Sequence, residues 1–273
     1  MDPMTAFRHL RAVILDWAGT TVDHGSLAPV EALKRVFAEN RVEITAAEAR
    51  EHMGVLKKDH IRSILSIPRV ADEWARVHGP HPAGSDVDRL FSEFLPKQAE
   101  ILARLSEPIE GVPETTARWK RDGLRIGSTT GYTRALLDIV SAAAARRGFS
   151  PEASVTPDET GAGRPAPFMC YRNAIELQVY PLWGCVKIGD TPSDIAEGLN
   201  AGMWTIGITR TGNEVGLSKS EFDALSPADR VEVERHARGR LRIAGAHYIA
   251  EAVAECDPFL LEIDRRIASG ERP

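Results

Sequence analysis

The sequence predicts an α/β fold: a doubly wound parallel sheet with a helical domain inserted after the first strand. Three observations point there. Short apolar runs alternate with helical patterns through most of the chain. Acidic and hydroxyl residues stand at the ends of several of those runs. One long stretch, from about Val22 to Leu105, breaks the alternation with helix alone. Parallel strands need long crossovers, and helices usually supply them, so the alternation reads as a parallel sheet.

In chain order, the first strand is expected at Arg11 to Asp16, around the apolar run Ala12-Val13-Ile14-Leu15. Further strands are expected at Leu124 to Gly127, Ser154 to Thr156, Cys185 to Gly189 and Trp204 to Ile208, with a weaker one near Tyr248-Ile249. Helical patterns at Val112 to Arg121, Arg134 to Arg147, Phe168 to Leu177 and Pro192 to Ala201 separate them. The insertion carries patterns at Pro29 to Ala38, Ala46 to His52, Lys57 to Leu65, Val70 to His78 and Val87 to Leu105, with Pro80, Pro82 and Gly84 marking a loop. Lys219 to Gly239 reads as one charged helix and Asp257 to Ile267 as a closing helix. The expected division is a Rossmann-like core at 1–21 and 106–273 and a cap at 22–105. A segment that leaves and re-enters the core at one place makes a natural hinged lid.

Composition excludes several classes. The 273 residues are 43% hydrophobic, enough to bury a large core. A net charge of −5 and a pI near 5.9 oppose a nucleic-acid footprint. The basic stretch Arg235 to Arg242 reads as a solvated helix face, because Glu232 and Glu234 lie beside it. Cys170, Cys185 and Cys256 show neither zinc spacing nor a disulfide framework, which suggests reduced, buried thiols in a cytoplasmic protein. No apolar run approaches the roughly 18 residues of a membrane span. Met1 to Arg11 lacks a signal-peptide pattern.

In open α/β sheets, ligands sit beyond the carboxyl ends of the strands. Four polar clusters belong there: Asp16; Ser128-Thr129-Thr130-Gly131; the loop Gly161 to Pro167 with Arg164; and Gly189-Asp190-Thr191-Pro192-Ser193-Asp194. They supply a carboxylate nucleophile, a hydroxyl, a cation and an acidic pair. Phosphoryl transfer needs such a set. A carboxylate can attack phosphorus. Magnesium takes oxygen ligands from carboxylates and phosphate. Hydroxyl and cationic donors stabilise the equatorial oxygens. Taken singly, each residue is ordinary: Asp194 could cap a helix, Thr130 could be an N-cap and Arg164 a surface charge.

Their order resembles the four motifs of the haloacid-dehalogenase superfamily from Arg11 to about Gly212, with the insertion placed like that superfamily's first type of cap. Most phosphatases of the group carry an acid two places after the nucleophile; here that place holds Ala18. Within the superfamily, Asp16-Trp17-Ala18-Gly19-Thr20-Thr21 resembles the phosphonoacetaldehyde hydrolase family. So do Met53-Gly54-Val55-Leu56-Lys57-Lys58-Asp59-His60 and Gly127 to Tyr132.

The chemistry accounts for the pairing of an alanine with a lysine. An ester releases an alkoxide that a general acid can protonate. A phosphonate releases carbon and needs an electron sink. A lysine amine supplies one by condensing with a neighbouring aldehyde to an iminium. The resemblance implies cleavage of the carbon–phosphorus bond of phosphonoacetaldehyde, through a Schiff base on Lys57 and an aspartyl phosphate on Asp16. It further implies Mg2+ held by Asp16, the Ala18 carbonyl and Asp190, with Asp194 bracing the site from behind. Thr130 and Arg164 would bind phosphoryl oxygens, and Met53, Gly54 and Gly131 would line the substrate. His60, three residues after Lys57 and on the same helix face, would shuttle protons, and Tyr132 would position a water or His60. Burial and nearby cations such as Arg164 would hold Lys57 neutral. Adjacent Lys58 is the alternative amine; only the spacing from Met53-Gly54 and to His60 selects Lys57. A homodimer and a role in degrading 2-aminoethylphosphonate are implied by the family alone. The competing activity is a cap-bearing phosphatase or phosphomutase acting on small phosphate esters, which the alanine at position 18 opposes. A binding protein that kept the fold is a further alternative, opposed by the intact Asp16, Thr130, Arg164 and Asp190.

Overall fold

The computed structural model describes residues 6–79 and 84–273. Six parallel strands form one sheet in the order β3-β2-β1-β4-β5-β6. They are β1 (Ala12–Leu15), β2 (Arg125–Thr129), β3 (Ala153–Val155), β4 (Cys185–Gly189), β5 (Trp204–Ile208) and β6 (Tyr248–Ala250). The sheet is the predicted doubly wound one, and even the weak sixth strand is present. β1 lies centrally, with Ile14 opposite Gly127 of β2 and Lys187 of β4. Side chains alternate across a strand. Val13 and Leu15 therefore enter one apolar cluster, while Ala12 and Ile14 enter another on the opposite face. Both faces are covered by helices, which is why the strands read as unbroken apolar runs.

The core helices are α6 (Val112–Arg121), α7 (Arg134–Ala145), α8 (Phe168–Leu177), α9 (Pro192–Asn200), α10 (Lys219–Ala224), α11 (Pro227–Ile243) and α12 (Asp257–Ala268). The single charged helix expected from Lys219 to Gly239 is two. Ser226 caps α11, accepting the N–H of Asp229, and Pro227 takes the first-turn position where it needs no N–H donor. Few residues of α11 are buried (Ala237 and Leu241), as a solvated helix face requires.

Between β1 and β2 run only helices: α1 (Leu27–Glu39), α2 (Ala46–Arg50), α3 (Lys57–Leu65), α4 (Pro68–His78) and α5 (Gly84–Leu105). Gly84, expected in a loop, opens α5 instead. Pro80 and Pro82 lie outside the described residues. α1 lies along α5, and Phe37 of α1 meets Trp74 of α4 edge to face. No described helix is long and apolar enough to cross a membrane.

Candidate active site

The strand order reverses between β1 and β4, and the carboxyl ends of those two strands converge. Asp16 follows β1 and is anchored by its N–H to Ile188 O at 2.9 Å. The chain then turns tightly, with the N–H groups of Thr20, Thr21 and Val22 all donating to Trp17 O. Gly19 is required in this turn. Its φ is +82°, and a Cβ there would lie 2.3 Å from Asp190 Oδ2. Asp190, at the end of β4, accepts the Thr20 hydroxyl at 2.9 Å on Oδ1 and the Asn213 N–H at 2.7 Å on Oδ2.

Beneath this pair lies a buried charge network. Arg164 donates through Nη2 to Asp16 Oδ1 at 2.6 Å and to Thr129 Oγ1 at 2.8 Å, and through Nε to Glu197 Oε2 at 2.9 Å. Its Nη1 lies 3.0 Å from Asp194 Oδ1. Lys187 donates to that same oxygen at 2.6 Å. The Thr191 hydroxyl donates to Asp194 Oδ2 at 2.6 Å. Asp194 thus braces the loop and Arg164 with both oxygens engaged. Burial alone would raise its pKa, but Arg164 and Lys187 outweigh burial and hold it below the usual carboxylate range.

Asp16 and Asp190 behave differently. Burial lifts Asp16 to about 6 against the pull of Arg164. Burial, reinforced by the charges of Asp16 and Asp194, lifts Asp190 well above its ordinary value. Arg164 and Lys187 are two buried cations facing four buried carboxylates, those of Asp16, Asp190, Asp194 and Glu197. Asp16, Asp190 and Asp194 each bring an oxygen within 4.8 Å of the others. A hard divalent cation would relieve this excess of negative charge, and carboxylate oxygens are its preferred ligands. The residues fit such an ion.

The opposite wall comes from the helical insertion. Lys57 opens α3 and is buried, with Nζ 3.4 Å from His60 Nδ1, 4.0 Å from Met53 Sδ and 5.3 Å from the Phe94 ring centre. Among the described residues it has no carboxylate partner. Burial alone lowers it to about 8. The expected contribution of Arg164 is absent, because that guanidinium is already matched by carboxylates. Lys58 points outward and pairs with Asp88 at 2.6 Å, so the geometry separates the two lysines. His60 is buried beside the backbone of Ala49 and Glu51. Burial, then the Lys57 charge, hold it well below its ordinary value. The Tyr132 hydroxyl is buried without a partner. Burial, with the negative charges of Asp23, Asp16 and Asp190, raises it well above its usual value.

Insertion and core meet closely, Gly54 against the Thr191 side chain and Gly131 against main chain. A Cβ on Gly54 would come 2.7 Å from Thr191 Oγ1, and one on Gly131 would come 3.2 Å from Val55 O. Asp16, Ala18, Met53, Gly54, Lys57, Thr130, Gly131, Tyr132 and Arg164 line one cavity of about 30 Å³. His60 stands behind Lys57, and Asp190 and Asp194 lie beneath the floor. Thr130 turns its hydroxyl to accept the Tyr132 N–H at 3.1 Å. The sequence did not single out Lys187, Glu197 or Asn213, and it offered Thr20 and Thr129 only as members of their motifs. Lys187 had a signal: a lone charge inside the apolar run Cys185 to Gly189 demands a buried partner.

Comparison with known proteins places this geometry in a family. Residues 10–202 match the haloacid dehalogenase-like hydrolase model. Phosphonoacetaldehyde hydrolases of Bacillus cereus (strain ZK / E33L) and Bacillus anthracis are each 46% identical over 257 residues, covering 94% of this chain and 97% of theirs. The crystal structure of a phosphonoacetaldehyde hydrolase-like protein from Oleispira antarctica superposes with a TM-score of 0.96 at 40% identity, over 100% of this chain and 99% of that one. A β-phosphoglucomutase from Clostridium difficile, at 14% identity and a TM-score of 0.68, shares the fold. The chain belongs to the haloacid dehalogenase-like hydrolases and, within them, to the phosphonoacetaldehyde hydrolase family.

Proposed function

We propose that the protein hydrolyses the carbon–phosphorus bond of phosphonoacetaldehyde to acetaldehyde and phosphate. The observation that carries this is a buried, unpaired lysine in the same small cavity as a buried aspartate, with alanine where an ester-cleaving acid would stand. Residues 22–105 act as a cap over a core of 1–21 and 106–273. In the capped state the Lys57 amine adds to the aldehyde carbonyl and water leaves, forming an iminium. Asp16 attacks phosphorus. The carbon–phosphorus bond breaks, and its electron pair moves into the iminium to give an enamine. The enamine takes a proton on carbon, and water releases acetaldehyde from Lys57. A second water cleaves the aspartyl phosphate.

The chain's own groups prepare each step. Burial keeps a workable fraction of Lys57 neutral near pH 8. His60 Nδ1, adjacent to Nζ, holds and returns the protons of imine formation. Tyr132, with its free hydroxyl, positions water. Arg164 fixes Asp16 through one oxygen and, with Thr130, meets the phosphoryl oxygens. Met53, Gly54 and Gly131 line the substrate. Asp16, the Ala18 carbonyl and Asp190 would hold Mg2+, which supplies charge neutralisation so that an anionic nucleophile can approach an anionic group.

Production of acetaldehyde and phosphate in equal amounts from phosphonoacetaldehyde tests the activity. Equal rates with small phosphate esters would favour a phosphatase instead. A chelator should abolish turnover and added magnesium restore it, and Asp190→Asn should lose magnesium binding measured calorimetrically. We also infer a cytoplasmic homodimer acting in 2-aminoethylphosphonate degradation. Three buried free cysteines support the compartment, and sedimentation velocity tests the dimer.

A further inference from the structure

Arg50 takes no part in the chemistry above, yet it joins the two walls of the site. It ends α2 in the insertion. Its Nη1 donates to Gly25 O at 2.8 Å and to Asn213 Oδ1 at 3.0 Å, and its Nη2 donates to Gly216 O at 2.8 Å. Gly25 lies in the linker that enters the insertion. Asn213 and Gly216 lie in the core loop after β5. The same Asn213 holds Asp190 Oδ2 with its backbone N–H at 2.7 Å. On the other side, the Arg50 carbonyl accepts the Met53 N–H at 3.1 Å, at the start of the loop that leads to Lys57. The core loop is shaped for this guest: Gly216 has φ +67°, and a Cβ there would lie 2.5 Å from Arg50 Nε.

We infer that Arg50 is a positioning residue, a clasp that closes the insertion onto the core and sets Lys57 against Asp16. The inference rests on the reaction proposed above for what closure serves, but not for the clasp itself. Among the described residues no carboxylate lies within 4.0 Å of its guanidinium; its hydrogen-bond acceptors are neutral carbonyl and amide oxygens. A charged donor makes strong hydrogen bonds to such oxygens, and water can replace them when the insertion lifts. A buried carboxylate partner would be left uncompensated on opening and would resist it. Neutral acceptors therefore suit a joint that opens and closes at each turnover.

With a longer bond from Nη1 to Ser26 O at 3.4 Å, the planar fork reaches four acceptors at once, which a lysine ammonium cannot match in geometry. Arg50→Ala and Arg50→Lys in the full chain test this. In Arg50→Ala, amide hydrogen exchange over 51–57 and 211–216 speeds together by about tenfold or more, while exchange in β1 and β4 is unchanged. The limb of kcat/KM expected to rise with pH near 8, where burial puts the Lys57 amine, should move toward the ordinary lysine value as the amine gains solvent. Arg50→Lys changes both in the same direction by less. The clasp is overturned if both segments keep their protection, or if activity falls while the limb stays near pH 8, since a purely structural residue would lower the amount of active enzyme without moving its titration. Should Arg50→Ala fail to fold, Arg50→Lys is read by the same two measurements. If wild-type protein releases no acetaldehyde from phosphonoacetaldehyde, the proposed reaction fails, and the exchange comparison still decides the clasp.

Discussion

The floor and the roof of the cavity handle charge in opposite ways. On the floor, Arg164 and Lys187 are buried among carboxylates, and each charge is held by its neighbours. In the roof, Lys57 is buried beside a methionine, a histidine and a phenylalanine, with no carboxylate partner among the described residues. Pairing keeps groups ionised and fixed; isolation makes an amine reluctant to be charged. In the proposed reaction the floor faces an anion at phosphorus once a divalent cation offsets its carboxylates, and the roof presents a nucleophilic nitrogen to a carbonyl. Two separate chain segments make the walls of one pocket, so the two steps of the proposed reaction, with their different electrostatic needs, can share it.

The two nucleophiles distinguish floor from roof most strongly. Asp16→Asn and Lys57→Ala should each lower turnover by roughly 10⁴-fold or more. Only the first should still be trapped by borohydride with phosphonoacetaldehyde, as a two-carbon adduct on Lys57 seen by mass spectrometry. Trapping that survives in Lys57→Ala would remove the roof from the chemistry. The floor is next. Lys187→Met deletes one partner of a buried network and should cost about 3 kcal/mol or more of stability in urea denaturation. A loss below 1 kcal/mol would mean that Arg164 alone holds Asp194.

The roof predicts the opposite sign. The folded pKa of Lys57 lies below its unfolded value, so its charge opposes folding below about pH 8, and the cost is relieved as pH rises from 8 toward 10.5. Lys57→Met should therefore stabilise the protein at pH 7, by up to about 3 kcal/mol, and gain nothing above pH 10.5. A destabilised Lys57→Met would show that the amine makes a favourable contact instead. The smallest effect belongs to Lys58, whose exposed pair with Asp88 is worth little. Lys58→Ala should change kcat/KM by less than about twofold.

The floor was more legible in the sequence than the roof. Strand ends carry their signal locally, so Asp16 and Asp190 could be placed from the apolar runs that precede them. Lys57 could not. A helical lysine next to another lysine looks like solvent-facing charge, and only resemblance and spacing selected it; burial against Met53 and Phe94 is a property of the assembled walls. Lys187 was overlooked because it sits inside a run read as apolar, and its partner Asp194 is reached only after the chain turns into α9. Glu197 looked like an ordinary helix residue, since its contacts with Thr129 and Arg164 span distant segments. Arg50 was hidden for the same reason. The break between α10 and α11 was written in Ser226-Pro227 and went unread behind a run of strong helix formers.

The meeting of Gly131 with the main chain of Gly54 and Val55 has one more consequence. A joint made of main chain has no rotamers. Nothing along it can swing aside to admit a longer aldehyde, and any side chain grafted there acts as a wedge. Attempts to broaden the substrate range should therefore leave the seam untouched and carve from Met53, whose flexible thioether is the adjustable part of the mould.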